Sequence, residues 1–253
     1  MEAQNFKSRD KWHWFLSEYV IVVLGVITAL AAQQFVEWLH RYETRRQLEQ
    51  DLREEMRLND PYLRNDINVV YADYEWGVHQ AQAIQDAVRT NTISALKYER
   101  EPKFQFVIPR NSAWQHARES GTLALLPGNE AQAYTVLYHN GDVLSDRVGR
   151  WFAAIGQQDA IEIRFGRDTK GLTDVSNMAS GQLEQLSAVI ADQASDARWV
   201  LTSLGRMAAM QAVIESGSFS QEEMLKAYSD SRNPARKLLQ PEAASAPEGE
   251  KEH

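Results

Sequence analysis

The residue types that do metal or acid–base chemistry are present in this chain but are not arranged for it. Six histidines lie scattered at positions 13, 40, 79, 116, 139 and 253. None belongs to an HExxH motif, which would put two imidazoles and a general base on one helical face. A carboxylate-bridged di-iron helical protein needs a Glu-x-x-His pair on each of two helices. Glu37-Trp-Leu-His40 has this form, but it is placed where polar anchoring at a membrane interface accounts for it. Glu75 and His79 are one turn apart and could share a metal, but two ligands do not make a site, and a solvated helix pair is the ordinary reading. With no cysteine, thiol catalysis, disulfides and cysteine-ligated zinc are excluded.

Nucleotide chemistry fares no better. Gly166 and Gly171 have the glycine spacing of a phosphate loop, but Leu172 stands where the lysine belongs and no strand precedes it. GxSxG and GxGxxG are absent. The formal charge of -8, from 27 basic and 35 acidic residues, disfavours broad nucleic-acid binding, which requires a positive surface to displace counterions. We therefore expect no catalytic residues, no cofactor, no metal, no nucleic-acid partner and no enzyme. Sites assembled from distant helices leave no local motif, so this expectation covers contiguous signatures alone.

The densest cluster of unusual residues runs from Ser112 to Leu126, where Trp114, His116, Arg118 and Glu119 share one short helix. It has two readings. One is an interaction surface made by these four residues. The other, which we favour, is a structural corner in which Trp114 is buried, Gly121 ends the helix, and Leu123 and Leu126 enter the core.

The elements that would carry such a surface begin with an apolar segment. The stretch between Glu18 and Glu37 holds 18 residues without a charge, within the roughly 17–25 that a membrane-spanning helix needs. From Trp14 to Trp38 a helix would extend about 36 Å, slightly more than the roughly 30 Å hydrocarbon core. Trp12, Trp14 and Trp38 thus fall at the two interfaces, where amphipathic aromatic rings prefer to sit. A cleaved signal peptide is the rival reading, because Ala29-Leu-Ala31 has the form of a cleavage site. Against it stand Glu18 at the start of the run and the apolar residues that resume at Phe35, Val36, Trp38 and Leu39. Gly25 and Ala29 form a small-xxx-small pair of the kind that lets two membrane helices approach closely.

Basic residues are balanced, with Lys7, Arg9 and Lys11 before the span and Arg41, Arg45 and Arg46 after it. The positive-inside count is a tie. A short N-terminal tail retained in the cytoplasm favours a single-pass inner (cytoplasmic) membrane protein with its C-terminal domain periplasmic.

Beyond the span the periodicity is helical. Residues 40–58 carry Leu48, Leu52 and Met56 on a narrow stripe with i,i+3 and i,i+4 charge pairs, which predicts a stalk helix. Asn59-Asp60-Pro61 predicts a new helix start, with Leu63, Ile67, Val70, Tyr74, Val78, Ala81 and Val88 on its apolar face. Phe104 to Ile108, between Pro102 and Pro109, is the one strand-like run, too little for a sheet. Capping boxes are expected at Ser112–Gln115, Asn129–Gln132 and Ser220–Glu223, the last with Phe219 and Met224 as its hydrophobic staple. Gly141, Gly149 and Gly156 mark either close packing or breaks in the helix after Asn129. A long helix is expected from about Val175 to Glu215. The Pro-, Ala- and Glu-rich end lacks an apolar period.

The fold class expected is all-α: an N-terminal transmembrane helix continuing through a stalk into an antiparallel bundle of about four main helices. The divisions are a short tail (1–11), the span (12–39), the stalk (40–58), the bundle domain (59–231) and a disordered tail (232–253).

Two segments, Glu18 to Trp38 and the stretch from Trp114 to Leu126 that opens Trp-x-x-Ala-x-x-Ser-Gly-x-Leu, resemble an uncharacterised bacterial family, a domain of unknown function. The resemblance covers about a fifth of the chain. It implies a single-span anchor and an α-helical domain, and carries no catalytic residue with it. The function expected is a membrane-anchored, non-enzymatic accessory or scaffold subunit docking on a larger membrane complex. Its partners would be the lipid bilayer and other membrane subunits or further copies of the chain. A membrane-anchored sensor or ligand-binding helical module is the alternative.

Overall fold

The structure is a computed structural model. It describes residues 6–99, 102, 105–166 and 174–230, with side chains from residue 18 onward. The tail expected to be disordered, most of the Gly166–Gly171 loop, Phe104 and the side chains of Trp12 and Trp14 lie outside the described residues.

Every regular element among the described residues is helical. Helix α1 spans Phe6–Thr90, α2 Ser112–Ser120, α3 Gly128–Ile161, α4 Ser180–Ser216 and α5 Gln221–Asp230. Short 3-10 turns occupy Ile93–Ala95, Thr122–Leu125 and Val175–Asn177, and a π-helical segment, Glu162–Gly166, ends α3.

Helix α1 corrects the expected division at Pro61. Its 85 residues form one helix with Pro61 inside it, about 127 Å of continuous rod. An interior proline costs roughly 3 kcal/mol, because it removes one backbone hydrogen bond and its ring presses on the preceding turn. Here Pro61 and Arg57, whose carbonyl loses its donor, are both exposed, so water solvates the orphaned group. On either side, Leu52, Met56, Leu63 and Ile67 are buried in one core, and that packing carries the helix through. Leu48, Leu52 and Met56, expected in a stalk, are therefore core residues.

The apolar stretch of α1 is unlike everything downstream. Tyr19, Ile21, Leu24, Ile27, Leu30, Phe35 and Trp38 are all more than half exposed. Among the described residues, α1 is the one helix long and apolar enough to cross a membrane, and none of its most apolar 18-residue window is buried.

Helix α4 packs against both α1 and α3. As α4 advances from Ser187 to Gln193, its partners on α1 step back from Ala81 to Asp73. Gly77 makes the close approach: a Cβ there would stand 3.0 Å from Ala194 Cβ. Between α3 and α4, Gly141 lies near Met207 and the Arg147 guanidinium sits 4.9 Å over the Trp199 ring. Two apolar clusters result, a large one around Leu52, Tyr134, Trp151 and Leu204 and a smaller one around Ile84, Leu183, Leu186 and Ile190.

Of Gly141, Gly149 and Gly156, Gly141 alone has a neighbour within reach of a Cβ, and none of the three breaks the helix. Two expected caps are also replaced. Helix α2 follows Asn111 and α3 follows Pro127, neither giving a side-chain cap bond. Helix α4 begins at Ser180, since Val175–Asn177 forms a separate turn. At Ser220 half of the expected box forms: Ser220 Oγ accepts from Glu223 N at 3.2 Å, and the Glu223 carboxylate accepts from the Ser220 hydroxyl at 3.1 Å. Gly121 and Gly217 end α2 and α4 at φ +73° and +69°, where a β-carbon would be strained.

Candidate functional site

A seam of buried polar side chains runs along α1 through its apolar face: Glu55, Asn59, Asp66, Asp73 and Gln80. The spacing is four, then seven three times. Seven residues are nearly two helical turns, so these groups line up. An unpaired buried polar group costs about 1–3 kcal/mol, and each of these meets a donor or acceptor from elsewhere in the fold.

Three of the five hold the segment between α1 and α2. Gln80 Oε1 accepts from Glu99 N at 3.3 Å, while the neighbouring Trp76 Nε1 donates to Glu99 O at 3.1 Å. The Asp66 carboxylate faces Val107 N at a long 3.4 Å. Asn59 exchanges two bonds with the Arg110 backbone, at 2.9 and 2.8 Å. Residues 105–111, expected to be strand-like in part, thus lie back along α1 as extended chain whose backbone groups are met by side chains rather than by a ladder.

Glu55 ends the series and makes the cap that α2 lacks locally. Its Oε2 accepts from Ala113 N at 2.7 Å and from Ser112 Oγ at 3.0 Å. A carboxylate at a helix N-terminus also meets the positive end of the helix dipole. Its Oε1 accepts from Tyr138 OH at 2.6 Å. The Tyr138 ring stacks on Trp114 at 4.9 Å and 5°. Burial, then the bond to Glu55, hold the Tyr138 hydroxyl far above its ordinary pKa, so it stays a donor.

Asp73 joins the three long helices. Its Oδ2 accepts from Trp151 Nε1 of α3 at 2.7 Å and its Oδ1 from Gln193 Nε2 of α4 at 2.8 Å. The residue has no exposed surface. Burial raises its pKa to about 6 against the lowering effect of both donors, and raises Asp66 to about 6 likewise. A perturbed carboxyl can mark an active site, but a general base must reach a substrate proton. The two donors to Asp73 are the protein's own side chains.

The residues singled out in the sequence separate in space. Trp114 is buried against Tyr138, whereas His116, Arg118 and Glu119 are exposed, so the four do not form one surface. His79 is exposed and Glu75 accepts from Tyr71 OH. No group of three His, Asp or Glu able to hold a metal occurs among the described residues. Trp38 stacks between Phe35 and Tyr42, at 6.0 and 5.8 Å. Gly25 has nothing within 4 Å of a would-be Cβ, and Ala29 is exposed.

The seam itself was not anticipated. Its signal was available as polar residues recurring at heptad spacing within an apolar stripe. A second feature comes from tertiary contact alone: a hollow of about 320 Å³ between α3, α4 and α5, lined by Val136, His139, Met210, Met224, Leu225 and Tyr228 among others.

These features define a helical protein with one candidate membrane span. No family model matches the chain, and neither curated proteins nor solved structures provide a match. The functional reading therefore rests on the chain's own geometry.

Proposed function

We propose that this protein is a single-pass membrane anchor bearing a helical bundle, and that it serves as a non-enzymatic accessory or scaffold subunit of a larger membrane complex. The observation that carries the reading is the continuity of α1. One unbroken helix leads from an uncharged stretch before Glu37, none of whose most apolar window is buried, into a core that begins at Leu48. Exposed apolar surface of that extent is costly in water and favourable in lipid. The bundle has α4 antiparallel to both α1 and α3, supported by the pairs Ala81–Ser187 and Asp73–Gln193 on one side and Gly141–Met207 and Arg147–Trp199 on the other. The setting is the bacterial inner membrane with the domain on the periplasmic side.

A rigid rod clamped to a core suits a subunit that holds a domain at a fixed height above the bilayer. Alkaline carbonate extraction of membranes, followed by cross-linking and mass spectrometry of the detergent-solubilised full-length chain, tests both halves. Retention in the membrane pellet with a stoichiometric membrane-protein partner is the expected result. A monodisperse monomer in native nanodiscs would overturn the subunit reading, and release by carbonate would overturn the anchor.

The hollow between α3, α4 and α5 favours a second reading, a membrane-anchored module that binds a small apolar ligand. Its wall mixes Val136, Met210 and Met224 with the polar His139 and Tyr228, the composition of a ligand pocket.

A further inference from the structure

We propose that the hollow between α3, α4 and α5 binds an uncharged bicyclic aromatic alcohol, of the naphthol kind, whose hydroxyl donates to the side-chain carbonyl of Asn140. The inference rests on the ligand-binding reading of that hollow and names the chemistry of the ligand.

Helical spacing brings the walls together. Val136 and Asn140 stand one turn apart on α3, Met224, Leu225 and Tyr228 fall on one face of α5, and Met210 of α4 also lines the space. Its volume of about 320 Å³ lies at the low end of the roughly 300–1,000 Å³ that small-molecule sites occupy, which suits a bicyclic ligand.

Asn140 supplies the directed contact. It is 3% exposed. Its Nδ2 donates to Val136 O at 2.8 Å within the helix. Its Oδ1 accepts no hydrogen bond from the described residues. A buried acceptor without a donor costs free energy. A ligand hydroxyl therefore gains more there than at Gln132, His139 or Gln221, which line the same hollow but are exposed to water.

The rest of the lining sets charge and shape. None of the described residues lining the hollow is an acid, a lysine or an arginine, so a charged ligand would lose hydration without meeting a counter-charge. Met210 and Met224 are buried, and thioether sulfur packs favourably on aromatic rings. Tyr228 adds an aromatic wall, held by the Arg206 guanidinium 4.4 Å over its ring.

The test uses the full-length protein in phosphatidylcholine nanodiscs at pH 7, with binding read by isothermal titration calorimetry against empty nanodiscs. The probes are 2-naphthol, its methyl ether, decahydro-2-naphthol and 2-naphthoate. 2-Naphthol should bind about tenfold tighter than the ether, which lacks the donor, and than the charged 2-naphthoate. It should bind about threefold tighter than the saturated alcohol, which lacks aromatic faces. Asn140→Leu should bring 2-naphthol and its ether to equal affinity. Should the leucine variant lose helicity by circular dichroism, Asn140→Ala gives the same reading with no added bulk. An undiminished preference for 2-naphthol in the Asn140 variants would overturn the contact. Binding of 2-naphthoate or of the saturated alcohol as tight as that of 2-naphthol would overturn the neutral or the aromatic assignment. Leu225→Trp, at an exposed wall position, should weaken every probe and separates the two claims. Equal binding of 2-naphthol and its ether to the parent, both weakened by Leu225→Trp, would overturn the alcohol and leave the hollow a ligand site, whereas no binding of any probe would overturn both.

Discussion

The carboxylate of Asp73 accepts the indole N–H of Trp151 at 2.7 Å across the boundary between α1 and α3, with both residues wholly buried. The same carboxylate takes the Gln193 amide from α4, so one side chain of α1 fixes its rotation and height against both long partners. Apolar contacts tolerate small slides along a helix; a pair of directed bonds does not.

Replacing Asp73 by alanine should therefore destabilise the fold strongly. Each buried donor left without an acceptor costs about 1–3 kcal/mol, so the loss from the two should reach about 2–6 kcal/mol, to which the cavity adds. Asp73→Asn, which keeps one acceptor oxygen, should cost less. Thermal unfolding of the full-length protein in detergent, followed by circular dichroism, ranks the two. An alanine variant as stable as the parent would remove Asp73 as the keystone.

Stability should also depend on pH in the direction opposite to ordinary acid denaturation. Burial raises Asp66 and Asp73 to about 6, above the roughly 3.9 of an unfolded aspartate. The folded state binds these protons more tightly, so their stabilising contribution is full below about 4 and disappears as pH rises through about 6. Glu54, Asp174 and Glu223 are lowered by hydrogen bonds to Arg57, Ser176 and Ser218 respectively, and they act below that window. The melting temperature should fall between pH 5 and pH 7.5. D66N/D73N should flatten the dependence.

At Gly77 the constraint is space. Alanine gains about 1 kcal/mol of helix propensity over glycine, but its Cβ would stand 3.0 Å from Ala194 Cβ. We expect Gly77→Ala to leave stability nearly unchanged and Gly77→Leu to cost about 1–3 kcal/mol or more through overpacking. Ala194→Gly should relieve the clash, giving a favourable coupling in a double-mutant cycle with Gly77→Ala.

Glu55→Ala removes the acceptor for Ala113 N, Ser112 Oγ and Tyr138 OH together. Loosening should concentrate where α2 meets α1. Amide hydrogen exchange in residues 105–120 should quicken by at least tenfold, while residues 183–204 at the centre of α4 change little. A uniform acceleration throughout the protein would mean that Glu55 supports the whole core rather than the clasp.

The all-helical class and the position of the apolar stretch were legible because both depend on local pattern: a 3.6-residue period, and an uncharged run matched in length to a bilayer. Gly121 as the stop of α2, Trp114 as a buried corner and the Ser220–Glu223 cap were legible for the same reason, since each is settled within one or two turns of chain. Pro61 misled, because its local preference for a helix start was overruled by packing on both sides of it. Ser112 misled because a carboxylate 57 positions earlier in the chain provides the cap. Asp66 and Asp73 stand out in the sequence as polar residues at heptad spacing in an apolar stripe, but local pattern does not tell buried acids from solvated charges on a helix surface. Their burial, raised pKa values and bonds exist once the segment after α1 folds back and α3 and α4 close over them. Local periodicity determined which residues turn into helix, and the long-range meeting of those helices decided which polar groups became the fastening between them.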